Sequence, residues 1–465
     1  MGVLARIRTA ACGMVLVAAV ALPAGADTLA DALVGAYRNS NLLEQNRALL
    51  RAADEDVQQA IAALGPVVDF VMQAYSSSEN APSALLSAGL SASVTLFDFG
   101  RGDLAVDAAR QTVLATRAAL IGLEQNVLLG AAAAYLNLYS QVQALQLQRN
   151  NVSVINEQLR AARERFELGD STRTDVAIAE ARLAAARSAL AAAEGQVAVA
   201  REEYNLAVGH YPNGLTQPPA LPRLPASLEA AQDIARRNHP SIQQAQYQVA
   251  AADLGAEIAG RQRYGSLTAS IGIEGSIRHI NPLPSSETLE VTGALRWGVP
   301  IYNGGRLNSV ERQGVARAEA QRAALHQTVA LVHQSVASTW AQLQVARSRL
   351  EASNLQINAA QSAYDAVRAE ADLGSRTTLD VLNAEQELLD ARSARISAYA
   401  TVQTAAYALL EAMGQLTVEG LNLGIPTYDV EAYTSAFRPA PPRETPSEQS
   451  IRLERILGRY GPRTD

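Results

Sequence analysis

At 465 residues, with apolar types making up 48% but aromatics only 5%, the chain is long enough for several domains yet poor in the bulky side chains that fill a globular core. Its net charge is −7 and all 39 basic residues are arginine, with no basic run interleaved with aromatics, a balance that excludes the usual nucleic-acid binder. Much of the apolar content is alanine, which favours long helices whose backbones approach closely.

Residues 1–26 read as a secretory signal. Arg6 and Arg8 form the basic start, Ala10 to Leu22 the apolar stretch, and Ala24-Gly25-Ala26 the small-x-small cleavage site before Asp27. The apolar stretch is too short for a bilayer-spanning anchor. Cys12, the only cysteine, falls inside it, so a mature chain without disulfide or thiol chemistry is expected. After Ala26 no uninterrupted apolar run reaches spanning length, so any membrane span is expected to consist of strands.

A helix is expected over 28–64, then strands at about 67–77 and 84–97. The second alternates, with Leu86, Ala88, Leu90, Ala92, Val94 and Leu96 on one face and Ser87, Gly89, Ser91, Ser93 and Thr95 on the other. No proline occurs from Ser83 to Tyr211 or from Ile301 to Ile425, which argues for very long helices. The first, about 103–166, carries Leu120, Leu123, Val127, Ala131, Tyr135, Leu138, Val142 and Leu145 as a coiled-coil seam. At 168–176 the chain reverses into a helix over about 171–210. A proline-rich connection follows at 211–226, then a helix over 227–263 and strands at about 264–277 and 288–302. Helices at about 306–372 and 376–414 enclose a second reversal.

The two reversals share the pattern Leu-Gly-x5-Asp-Val, as Leu168-Gly169…Asp175-Val176 and Leu373-Gly374…Asp380-Val381, at an offset of 205 residues. Glycine suits the left-handed residue that ends a helix, and the Ser/Thr residues after it can cap the next one. The same offset aligns Leu96-Phe97-Asp98 with Ile301-Tyr302-Asn303, Gly100-Arg101 with Gly305-Arg306, Tyr135 with Trp340 and Gly209 with Gly414. The chain is a duplication: residues 27–226 form one repeat, 227–436 a second, and 437–465, rich in proline and charge, a disordered tail.

The helix over 103–166 measures about 96 Å and its return partner about 60 Å. The segment 227–263, about 55 Å, is expected to supply the missing length end to end. Each half is thus a rod with strands at one end and a tip at the other, and the breaks at 211–226 and 415–435 form a belt midway. Four strands with one dry and one wet face cannot close a barrel alone, so several chains must each contribute four.

Over essentially the whole mature chain these features resemble the TolC family of outer-membrane channel proteins. The two tips, the corners at Leu96-Phe97-Asp98 and Pro300-Ile301-Tyr302-Asn303-Gly304-Gly305, and the repeat carry the likeness. The resemblance implies a mainly α fold with β: a homotrimeric outer-membrane β-barrel, four strands per chain, continuing into a long periplasmic α-helical barrel. It implies an exit duct for a tripartite efflux pump or type I secretion system. Such a duct passes drugs, metals or secreted proteins and docks a periplasmic adaptor and, through it, an inner-membrane pump or ABC exporter. Asp380 matches a carboxylate repeated around the entrance, where like charges attract cations. A second acidic position is Asn383 here, the basic residue that helps tie the gate is Arg376, and its aromatic partner position is Ala371. Leu168, Gly169, Ser171 and Asp175, with Leu373, Gly374 and Ser375, match the adaptor-docking surface. Asp175 and Asp380 also suit the first turn of a helix for its dipole alone.

The alternative is a periplasmic coiled-coil adaptor or scaffold outside the membrane, disfavoured by the alternating strands and the doubled tips. His326 and His333 share a helix face without a further ligand, and Glu180 and Glu385, equivalent across the repeat, are expected on solvated faces. No motif for phosphate binding, zinc or nucleophilic catalysis occurs, so neither a cofactor nor an enzymatic role is expected.

Overall fold

In the computed structural model the described residues are 26–77, 83–169, 171–280 and 284–428. The expected signal (all but Ala26) and the tail over 437–465 lie outside them. Residues up to Ile425 form one compact unit. Its elements are α1 (Leu29–Asn39), α2 (Asn41–Ala62), β1 (Val67–Ser77), β2 (Ser83–Phe97), α3 (Arg101–Glu167) and α4 (Arg173–Val208). The second half repeats the plan with α5 (Leu228–Asn238), α6 (Pro240–Arg261), β3 (Ser266–Ile280), β4 (Ser286–Gly298), α7 (Arg306–Asp372) and α8 (Thr378–Ala412).

Both 67-residue helices run without a break, as the absence of proline allows, and each spans about 100 Å. The shorter helices differ from expectation. What read as one helix over 28–64 is two, because Ser40 adopts extended backbone and caps Leu43 N at 3.3 Å. The segment 227–263 likewise divides at His239, with Pro240 in the first turn of α6, where its missing N–H costs nothing. The last strand stops at Gly298, short of Pro300, so Val299 and Ile301 do not extend its alternation.

The end-to-end stacking is also different. α4 is continued by α1 and α2: Asn39 Nδ2 donates to Val208 O at 3.0 Å. The segment 227–263 continues α8 instead, where a Cβ on Gly414 would stand 2.8 Å from His239 Cα. The reading of 227–263 as the extension of the first hairpin is therefore corrected. Each return helix is completed by the helix pair that opens its own repeat.

A belt crosses α3 near its midpoint. Tyr135 Oη donates to Asp27 O (3.0 Å) and Thr216 O (2.8 Å), Asp27 N donates to Gly214 O at 3.0 Å, and Glu124 Oε1 accepts from Val418 N at 2.8 Å. The expected seam is half right. Leu120, Ala131, Tyr135 and Leu138 are buried, but Val142 is exposed, and Leu128, Ala132 and Leu136 join the core. α3 packs on α2, α4, α6 and α8, so it buries a broad, shifting face rather than one narrow stripe. By length and composition alone α3 would also pass as a membrane span. Its most apolar stretch is 39% buried, in part against those helices.

The sheet is a meander, β1-β2-β3-β4, antiparallel throughout, with a bulge between Thr95 and Phe97. Register sorts the two faces. Phe70, Leu90, Ile273 and Val291 stand in one row across all four strands, with Met72, Ala88, Gly275 and Leu289 in the next such row. The opposite face presents Asp69, Ser91, Gly272 and Thr292, then Gln73, Ser87, Ser276 and Thr288. The apolar face is bare: Phe70, Ile271, Leu289, Val291, Leu295 and Trp297 are all exposed.

Candidate functional site

Each long helix ends in the same local chemistry. Gly169 and Gly374 take φ of +85° and +79°, the left-handed turn that costs a residue with a Cβ about 1 kcal/mol. Thr172 and Thr377 then cap the return helices. Asp175 N donates to Thr172 Oγ1 at 3.2 Å while Asp175 Oδ2 accepts from Thr172 N at 3.0 Å. Thr377 and Asp380 repeat the arrangement at 3.2 and 3.0 Å. These reciprocal caps hold both aspartates below the ordinary carboxylate range, with the backbone N–H of the threonine as the largest cause.

The residues singled out from sequence gather at these two tips. Leu168 and Leu373 project into solvent, 77% and 86% exposed. Ser171 Oγ donates to Asp175 Oδ2 at 3.1 Å, and Ser375 Oγ to Glu370 O at 2.8 Å. Arg376 reaches back along its own hairpin to Glu370 Oε2 at 2.8 Å. Ala371 is buried in the α7–α8 core with Tyr364, Val381 and Leu388.

Asn383 bridges the two hairpins: Arg182 Nη2 of α4 donates to its Oδ1 at 3.0 Å. A second bridge joins Arg165 of α3 to Asp372 of α7 at 3.1 Å. Between them Leu382 of α8 inserts into the other hairpin's core of Ile155, Leu159, Ala162, Ala179, Leu183 and Ala186. Arg165, Arg182 and Asp372 were missed from sequence, although a signal exists. At the repeat offset Arg165 aligns with Glu370 and Arg182 with Glu387, reversals of charge at equivalent places.

Glu180 lies on an exposed face, as expected, paired with Arg163 at 2.6 Å. Glu385 does not: it is buried. A third helix explains the difference, since α8 packs on both α7 and α3. His326 is exposed and His333 half buried, its Nε2 without a hydrogen-bond partner. Among the described residues no group of three or more His, Cys, Asp and Glu is placed to hold a metal.

Comparison with known proteins adds the following. The family model described as "Outer membrane efflux protein" matches residues 33–210 and 232–415. The outer membrane efflux protein BepC of Brucella suis is 36% identical over 420 residues, covering 89% of this chain and 91% of that protein. The outer membrane protein TolC of Vibrio cholerae is 26% identical over 418 residues, covering 86% and 94%. Among solved structures, the outer membrane protein VceC of Vibrio cholerae superposes with a TM-score of 0.68 at 21% identity, covering 83% of this chain and 96% of that one.

Proposed function

The chain belongs to the outer membrane efflux protein family, and from that premise we propose that three copies wall one duct, each giving four strands to a twelve-stranded barrel and two hairpins to a helical tunnel. The protein is an outer-membrane channel of the kind that serves efflux pumps and type I secretion systems, passing substrates outward from the periplasm. The carrying observation is the sheet. Its apolar face lies bare to lipid, its other face is lined with Ser, Thr, Gln and acidic side chains suited to a wet lumen, and among the described residues β1 and β4 each leave an edge unpaired.

The apolar rows run from Leu267 to Ile277, about 33 Å along the strand. At the usual barrel tilt they cover about 25 Å of bilayer. Phe97, Phe99 and Tyr264, in contact at 4.8 and 5.4 Å, with exposed Trp297 and Tyr302, supply an aromatic girdle at the helical end. The long helices carry lone apolar residues on opposite flanks: Leu42, Leu49, Val199 and Leu206 on α2 and α4, Leu331, Val345 and Leu355 on α7. These flanks suit contact between neighbouring copies.

The tips are the far end of the tunnel. In the proposed trimer Asp380 rings the entrance three times over, and Arg376, Asn383 and Ala371 belong to the same gate. The bridges Arg182–Asn383 and Arg165–Asp372 hold its inner hairpin, α7–α8, to its outer one, α3–α4. Leu168, Gly169, Ser171, Asp175, Leu373, Gly374 and Ser375 form the surface for a periplasmic adaptor, which in turn joins an inner-membrane pump or ABC exporter.

Single-channel recording in planar bilayers tests this reading. Pores blocked by divalent cations, with the block weakened by Asp380→Ala, support it. A block that survives the substitution removes Asp380 from the gate, and no conductance at all removes the duct. In cells, deletion scored for drug sensitivity and for loss of an exported protein assigns the cargo.

A further inference from the structure

One position of the repeat has two fates. Glu180 is exposed and ion-paired, whereas Glu385 is only 8% exposed and its Oε2 has no hydrogen-bond partner. Glu385 lies one turn from both Val381 and Leu388, on the face of α8 that packs against Tyr364 and Ala371 of α7. One turn before it, Leu382 enters the α3–α4 core. The charged groups around it are few. α7 contributes Arg368 and the Tyr364 phenol, and α8 itself contributes Arg392. Both arginines are exposed, and Arg392 also donates to Gln361 Oε1 at 2.7 Å. From α4, Arg182 is engaged by Asn383, and from α3, Arg165 by Asp372, while Ile155 and Leu159 of α3 are apolar.

We infer that Glu385 is a proton-operated spacer in the inner hairpin: neutral, it lets α8 stay packed between α7 and α3, and ionised, it must reach water and so favours withdrawal of α8. A carboxylate cannot stay ionised in an apolar seam with an unpartnered oxygen without a large cost. The same turn of α8 carries Leu382 and Asn383, which meet the other hairpin. Burial of Glu385 pushes the carboxyl up to about 7, Arg368 and Arg392 offsetting part of the rise. The packed arrangement therefore holds the proton more tightly than the open one. The stability that neutral Glu385 contributes is full below the ordinary value of 4.5 and is lost as pH rises through about 7. Acid keeps the hairpins together, and neutral to alkaline conditions loosen them.

Only the consequence for conduction depends on the duct reading; the packing claim stands on the seam. Hydrogen–deuterium exchange of residues 378–392 in the full-length, detergent-solubilised protein, compared with Glu385→Gln at the same pH, separates the two. At pH 5 the proteins should exchange alike. At pH 8 the native protein should exchange faster by ~10-fold or more while the variant stays protected. Glu385→Leu, which cannot ionise, should behave as Glu385→Gln does. Equal exchange at both pH values, or a difference that does not depend on pH, overturns the inference. Bilayer conductance at pH 8 judges the duct independently.

Discussion

Asp380 and Glu385, five residues apart on one helix, are set to different proton affinities by their surroundings. Asp380 accepts from its own cap and stays ionised throughout the physiological range; the stability of that cap falls only as pH drops through a value below the ordinary 3.8. Glu385 has no such donors and titrates near neutrality. We expect Thr172→Ala, which removes the hydroxyl of the first cap, to cost about 1 kcal/mol in thermal or denaturant unfolding. An unchanged midpoint would mean that the cap is incidental. The tip chemistry was legible in the sequence because glycine, threonine and aspartate act within a single turn of one another. The burial of Glu385 was not, since it depends on a third helix whose approach no local pattern encodes. The bridges to Asn383 and Asp372 left a trace, the reversed charges at equivalent repeat positions, that only a comparison of the two halves reveals.

At the scale of elements, local breaks decide how a long bundle is pieced together. Long runs without proline gave α3 and α7 nearly to the residue. Apolar periodicity, in contrast, passes through Ser40 and Pro240 undisturbed, and both helices there read as continuous. Once each is divided, α1 and α2 follow α4, and α5 and α6 follow α8, so every return helix is completed from its own repeat. The belt ties this arrangement to the middle of α3 through Tyr135, whose hydroxyl holds two backbone carbonyls. Tyr135→Phe takes the donor from Thr216 O, while Asp27 O keeps the Thr216 N–H at 3.1 Å, and should cost about 1–3 kcal/mol, measured as a shift in the urea midpoint. An unaltered midpoint would show that Tyr135 does not secure the belt around Asp27 and Thr216. The hairpin bridges behave differently. Arg165 and Asp372 are partly exposed, so Arg165→Ala should change stability by less than about 1 kcal/mol. Combined with Arg182→Ala it should nevertheless raise the open fraction of channels in bilayers, and an open fraction equal to the native one would deny the bridges a role in closure.

Over the whole molecule, the duplication explains why one copy is incomplete. α6 packs between α3 and α7, whereas its counterpart α2 packs on α3 and lacks the long helix that should flank its other side. The same holds for α8, which lies on both α7 and α3, and α4, which packs on α3 and meets α8 only slightly. A neighbouring copy's α7 would fill both gaps, as its β4 would meet β1. The alternating strands pointed to other copies from the sequence, whereas the flanks they would meet emerge only from the packing. Native mass spectrometry of the detergent-extracted protein puts this most directly. Three copies in one complex, separating only on heating, is the result expected here; a stable lone protomer would contradict it.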